Sequence, residues 1–318
     1  MYYYFFPLWQ EYFEQIGCEV VVSEPTNAKI LNQGVKLAVD DLCLPFKAYY
    51  GHVLSLKDQV DYIFLPRYLS LGKDNKVCPK LMGLPDMITS SFRGQLPEVL
   101  APDIDLNKGI FCRRNIYHYL GRILGCGFWQ REYAYWQAWR QQKKYIELQQ
   151  QGYTPRESIA ILNGSSSKEK FEKKTGISLA VLGHSYIIND DYLSMNLIQK
   201  LRSLFVRVIT QNMIQVDKIE QAARKQAKKM YWYFNRQIIG GAYHFLFNQQ
   251  TAVDGLIHVS SFGCGPDAMT GELVEIKSKK NKKLSLLNIN LDEHSGQAGL
   301  ITRLEAFIDL LERRKKNA

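Results

Sequence analysis

The chain has 318 residues, 46% of them hydrophobic and 23% charged, with a formal net charge of +10 at neutral pH. That composition excludes a disordered chain, and the length allows two ordinary domains. No stretch approaches the roughly 18 apolar residues of a membrane-spanning helix, and the aromatic opening MYYYFFPLWQEYF lacks a basic leader and a small-residue cleavage site, so the chain reads as cytoplasmic.

The elements alternate between short β-branched runs and longer amphipathic stretches, the pattern of βα units on a parallel sheet. CEVVVSE (18–24) reads as a strand, followed by a helix over 27–39 with Thr26 as its N-cap. VDYIFLPRY (60–68) is a second, buried strand ended by Pro66, and beyond PEVLAPDID a helical region runs over 108–151, as one helix or two. The second half is more regular. Strands over 177–186, 206–211, 254–261 and 283–290 are each followed by a helix, over 191–204, 216–248, 266–277 and 296–314. This predicts two flavodoxin-like, doubly wound α/β domains, 1–165 and 166–318, divided in the Gly/Ser-rich stretch 162–176, with a cofactor cleft between them. The first domain opens on helix where such a sheet opens on strand, so its sheet lacks a first strand or is one strand short.

Six cysteines, at 18, 43, 78, 112, 126 and 264, are too scattered for a disulfide scaffold in a chain of this size. Three of them lie in loops with a proline within two residues: Cys43 in CLP, Cys78 in CP and Cys264 in CGP. A proline stiffens such a loop, and Gly263 and Gly265 on either side of Cys264 let the backbone approach a bound object. The sequence separations are too long for a local metal signature, so metal ligands and ordinary buried thiols both remain open. Cys18 reads as core, and Cys112 and Cys126 carry a weaker signal.

The positive charge gathers in RKQAKK (224–229), KSKKNKK (277–283) and the final ERRKKNA. Such runs suit an anionic partner or simply solvated helix faces. Nucleic acid is set aside: no recognition motif is present, and the aromatic residues fall at helix-core spacing.

PLWQEYFEQIGCEVVVSEPTN, GVKLAVDDLCLPFKAYYGHVLSLKDQVDYIFLPR, VCPKLMGLPDMI, SSFGCGPDA and LDEHSGQAGLITRLEAF together resemble the 2-hydroxyacyl-CoA dehydratase and benzoyl-CoA reductase superfamily. The likeness is strongest to its small branch described as dehydratase- or activase-associated, and it spans nearly the whole chain. The resemblance implies an oxygen-sensitive iron–sulfur cluster, most simply [4Fe-4S], held by Cys43, Cys78 and Cys264. It also implies a separate ATP-hydrolysing iron–sulfur activator as electron donor, a partner subunit that is a second copy or a larger homologue, and a reductive or dehydratase-type reaction on a small molecule at the iron without a thiolate.

The chain departs from that family in several places. The CoA-binding features of the larger subunits are not found, and GHSY (183–186) has Ser185 where proline is expected. Neither GxxxxGK[ST] nor a DxGS opening occurs, so the chain is not read as the ATPase. A double cubane needs further thiolates, and only Cys112 and Cys126 are candidates. In LDEHSGQAG (291–299), Glu293 and His294 are the candidate pair for proton movement, while Asp292 and Ser295 suit capping. The alternatives are a non-catalytic electron carrier or scaffold, and a structural Cys₃His zinc site completed by His52 or His294.

Overall fold

The structure, a computed structural model, describes residues 1–72, 74–165, 176–248, 253–281 and 284–317. By packing, the chain forms two units. One comprises Met1–Leu42, Phe46–Ile146 and Tyr231–Tyr233; the other comprises Cys43–Pro45, Glu147–Met230 and Phe234–Ala318. The change from one to the other falls between Ile146 and Glu147, ahead of the 165/166 boundary read from the sequence. Of the expected linker, residues 166–175 lie outside the described residues.

The first unit opens on α1 (Tyr2–Gln15). Segment 18–24 is not a strand: it has no regular structure, and Val21 and Val22 are exposed. Its polar side chains find other partners. The hydroxyls of Ser23 and Thr26 lie 2.8 and 3.0 Å from the two ring nitrogens of His52. With Thr26 engaged there, Asn27 is the cap of α2 (Ala28–Leu37), its side chain accepting the Ile30 N–H at 3.0 Å. Helix α3 (Leu44–Leu56) packs backbone to backbone on α2: a Cβ at Gly34 would lie 1.8 Å from the Lys47 carbonyl oxygen, and one at Gly51 1.9 Å from that of Ile30.

The 60–68 strand is two pieces, β1 (Tyr62–Phe64) and β2 (Arg67–Ser70), parted at Pro66. They run parallel to β3 (Glu98–Leu100) and β4 (Asp103–Asp105), parted at Pro102. A proline has no N–H to give a ladder, so each pair is interrupted at the same level. Hydrogen bonds from Leu65 N–H to Leu100 O and from Arg67 N–H to Pro102 O carry the pairing across the gap. The sequence reading missed β3 and β4. Helices α4 (Pro79–Met82) and α5 (Leu84–Phe92) connect the pairs, and the 108–151 region resolves into α6 (Ile110–Ile123) and α7 (Phe128–Gln150).

The second unit begins its helical part with α8 (Pro155–Leu162), opened by a capping box between Thr154 and Glu157. Its sheet contains β5 (Ser178–Gly183), β6 (Arg207–Thr210), β7 (Gly255–Ser261) and β8 (Ser285–Leu291), all parallel in the order β6-β5-β7-β8. Numbered along the chain, that is 2-1-3-4, the flavodoxin-like order. The two central strands are covered on both faces: Leu179, Leu182, Leu256, Ile257 and Val259 are fully buried, and so is His258 at 2% exposure.

The helices between these strands are shorter than their patterns suggest. The 191–204 helix is cut to α10 (Leu197–Ser203), after a short α9 (Ser185–Ile188), because Asp190 caps the Leu193 N–H and Met195 and Asn196 take positive φ. The 216–248 helix is two, α11 (Val216–Ala223) and α12 (Tyr233–Phe247). The break holds the basic run 224–229, whose like charges oppose one continuous helix. Helix α12 is buried from residue 234 to 246. Helices α13 (Gly265–Asn281) and α14 (Gln297–Lys316) follow β7 and β8, and α14 buries Leu300, Leu304, Phe307, Ile308 and Leu311 on one face. Among the described residues, no helix is long and apolar enough to cross a membrane.

Candidate metal centre

The carboxyl ends of β5, β7 and β8 carry most of the chemistry-bearing residues of the second unit. Strand β5 ends at Gly183, where φ is +157° and a Cβ would lie 2.4 Å from the Val259 carbonyl oxygen. Only glycine lets β5 finish this close to β7, and the chain then turns His184 into the interior. The His184 ring stacks on Tyr186 with centroids 4.8 Å apart and meets Phe234 edge-on. At the end of β7, the Phe262 N–H bonds to Leu291 O, Gly263 takes φ +76°, and the Cys264 N–H returns to Ser261 O at 3.1 Å. A left-handed residue makes that tight return possible. Helix α13 begins at Gly265, and its first turn carries Asp267, which is wholly buried.

His184, Cys264 and Asp267 each place one ligand atom so that all three lie within 4.8 Å of one another. His184 Nε2 is 3.6 Å from Asp267 Oδ1, and His258 Nε2, from inside β7, is 3.7 Å from the same oxygen. Asn235 Nδ2 donates to Asp267 Oδ1 at 3.4 Å and to Thr270 Oγ1 at 3.0 Å. Among the described residues, Asp267 Oδ2, His184 Nδ1 and His258 Nε2 are buried without a hydrogen-bond partner. Burial pushes the Asp267 carboxyl upward, but the facing imidazoles of His184 and His258 outweigh it and hold the group below the usual carboxylate range. Burial lowers the His184 imidazole, with Asp267 pulling the other way.

The three predicted cysteine ligands share a local geometry. Cys43, Cys78 and Cys264 each immediately precede a helix, α3, α4 and α13, with Pro45, Pro79 and Pro266 at its first or second position. Proline fits there because its missing N–H has no partner to lose. Cys43 is buried. Burial pushes the Cys78 thiol up, while the backbone N–H groups of Leu81 and Lys80, directed at its sulfur, pull it down. In the first unit, Lys80 Nζ, two residues after Cys78, donates to Asp41 O at 2.6 Å. In the second, the Leu44 N–H, next to Cys43, donates to Ser261 Oγ, three residues before Cys264, at 3.1 Å. A Cβ on Gly265 would meet nothing within 4 Å, so open space adjoins Cys264.

Glu293 and His294 lie on the turn after β8, and His294 is exposed. Asp292 Oδ1 accepts the His294 N–H and the Ser295 hydroxyl at 2.9 and 2.8 Å, while Ser295 Oγ accepts the Asp292 N–H at 2.9 Å. Asp292 and Ser295 thus close the turn, and the Ser295 hydrogen bond holds the Asp292 carboxyl low. Neither Glu293 nor His294 belongs to the His184–Cys264–Asp267 group. Both ring nitrogens of His52, the other histidine considered for a zinc site, face hydroxyls. Cys126 bonds to the Ile16 and Leu124 carbonyls, and the Cys112 side chain lies outside the described residues.

The sequence reading passed over Asp267 and His258 and gave His184 no role. A histidine amid the apolar run of β7 and an aspartate directly after GCGP were the available signals. Elsewhere in the second unit, a pocket of about 280 Å³ is lined by residues including Arg156, Asn189 and Arg202, but both arginines are already paired, with Asp191 and Glu157.

Residues 1–214 match the model of a family described as CoA enzyme activase uncharacterised domain (DUF2229). Cys43, Cys78 and His184 fall inside the matched region, and Cys264 and Asp267 beyond it. A search of the curated proteins returned no match.

Proposed function

We propose that this chain, which belongs to the CoA enzyme activase uncharacterised domain family, is the iron–sulfur component of a cytoplasmic two-protein redox system. It receives low-potential electrons from a separate ATP-hydrolysing iron–sulfur activator and carries out a reductive or dehydratase-type reaction on a small molecule. The observation that carries the reading is the local geometry that Cys43, Cys78 and Cys264 share, each standing immediately before a helix whose first or second residue is a proline.

Cys43, Cys78 and Cys264 would hold a [4Fe-4S] cluster. The donor set fits: each of the three cysteines stands before a helix start, and at Cys78 the backbone N–H groups of Leu81 and Lys80 offset part of the burial that raises the thiol. When bound, such a cluster supplies an electron and one iron able to act as a Lewis acid. Gly263 supplies the left-handed turn that returns Cys264 toward β7, and Gly265 leaves open space beside it. The turn locked by Asp292 and Ser295 holds Glu293 and His294 at the same carboxyl edge of the sheet, where His294 is exposed and can exchange protons with substrate. We assign ATP hydrolysis to the activator, since neither GxxxxGK[ST] nor a DxGS opening occurs in these 318 residues. A second copy or a larger homologue completes the assembly.

The test is to express Cys43→Ala, Cys78→Ala and Cys264→Ala separately and rebuild the cluster without oxygen. Each variant should lose most of its iron and acid-labile sulfide together with the broad visible absorption. A variant that keeps its full iron and sulfide removes that cysteine from the ligand set.

A further inference from the structure

We propose that His184, Cys264 and Asp267 form a mononuclear site for a divalent metal of the zinc class, which the chain uses when no cluster engages Cys264. The proposal does not depend on the cluster reading.

Distance decides between the two kinds of centre. With metal–ligand bonds of about 2.0–2.3 Å, two ligands of one tetrahedral ion stand about 3.4–3.6 Å apart. Ligands on two different irons of a cubane are separated by an iron–iron edge as well, on the order of 6 Å. The His184 Nε2–Asp267 Oδ1 separation is 3.6 Å, and Cys264 lies within 4.8 Å of both residues' ligand atoms. These three therefore suit one ion. They are too close together to be ligands of separate cluster irons.

A second observation points the same way. Asp267 is wholly buried, yet among the described residues its Oδ2 has no hydrogen-bond partner. Leaving such groups unpaired is costly, and a cation is one way to satisfy them. Asn235 and His258 approach Oδ1, the carboxylate oxygen nearest His184 Nε2, from α12 and β7, and so fix the carboxylate beside the position of the ion. Outer-shell partners of this kind are what orient a metal ligand. One thiolate, one imidazole and one carboxylate make a mixed set suited to zinc, cobalt(II) or iron(II). Three protein ligands leave a fourth position for water, the open coordination of a reactive rather than a purely structural ion.

The topology explains why the group forms. His184 follows β5, Cys264 and Asp267 follow β7, and β5 and β7 are neighbours in register from Leu179↔Gly255 to Gly183↔Val259. Both strands therefore end side by side, and the missing side chain at Gly183 brings them together.

The experiment is a cobalt(II) titration of the full chain after anaerobic removal of any cluster. One cobalt per chain should bind, with thiolate-to-cobalt charge transfer in the near ultraviolet and the intense visible bands of a tetrahedral ion. His184→Gln and Cys264→Ala should each weaken binding by at least roughly 100-fold, more than outer-shell changes cost, and Asn235→Ala by roughly 10-fold. Cys78→Ala should bind as the parent does. A thermal melt identifies any variant that has not folded, and the partly exposed Cys264 provides the gentlest substitution. Absence of cobalt binding, or binding lost in Cys78→Ala but kept in His184→Gln, overturns the site. Iron and sulfide contents keep the two readings apart, because Cys78→Ala should lose the cluster while still binding cobalt.

Discussion

Gly183→Ala tests how the strand ends build the centre. The added Cβ would lie 2.4 Å from Val259 O and 3.2 Å from Ile188 Cδ1. Ordinary contact begins near 3.4 Å, so the ends of β5 and β7 must part by 3.4 − 2.4 = 1.0 Å. An opening of that size breaks one or two of the bonds that hold the ends of these strands, at about 1 kcal/mol each. Alanine at a positive φ adds about 1–2 kcal/mol. The sum is about 3 kcal/mol, or roughly 6–12 °C in Tm for a body of this size. Thermal unfolding followed by circular dichroism reads it directly. Gly265→Ala is the control: its Cβ meets nothing within 4 Å, and its Tm should stay within about 1 °C of the parent, since alanine is tolerated at a helix start. A Gly183→Ala protein that melts within about 2 °C of the parent would refute the close-approach account.

Two further predictions concern stability. The Glu157 carboxyl is held low: burial raises it, but Arg202 and the Thr154 N–H outweigh that effect. A depressed folded value means the carboxylate stabilises the fold above the ordinary value of 4.5, and that this contribution is lost as pH falls through the folded value. Glu157→Gln should therefore lower Tm at pH 7 by more than at pH 3, and an equal loss at both pH values would contradict the assignment. In the first unit, His52→Ala removes both hydroxyl contacts that hold 18–27 in place, about 2 kcal/mol together. Limited proteolysis should then cut between residues 18 and 27 at least several-fold faster, and an unchanged rate would show that the histidine does not anchor the segment.

The central sheet of the second unit was legible because strands covered on both faces are mostly apolar, as LAVL and, apart from His258, LIHV are. Segment 18–24 looked equally strand-like, since β propensity is local. Whether a neighbour offers a ladder is not, and here His52 takes the polar side chains instead. The break between α11 and α12 was written in the basic run 224–229, which a periodicity count passes over. The cysteine loops were visible through their prolines, which the structure places at helix starts. The His184–Asp267 contact was not visible. Its members are separated by most of a domain, and only the adjacency of β5 and β7 joins them. A buried aspartate in a first helical turn also looks in sequence like an ordinary capping residue.

The central claim is most directly tested by the iron, acid-labile sulfide and zinc contents of the full chain purified without oxygen. The account predicts about four irons and four sulfides per chain, as a single cubane requires. Absence of iron and acid-labile sulfide, whatever the zinc content, would contradict it, and the redox function proposed for Cys43, Cys78 and Cys264 would fall.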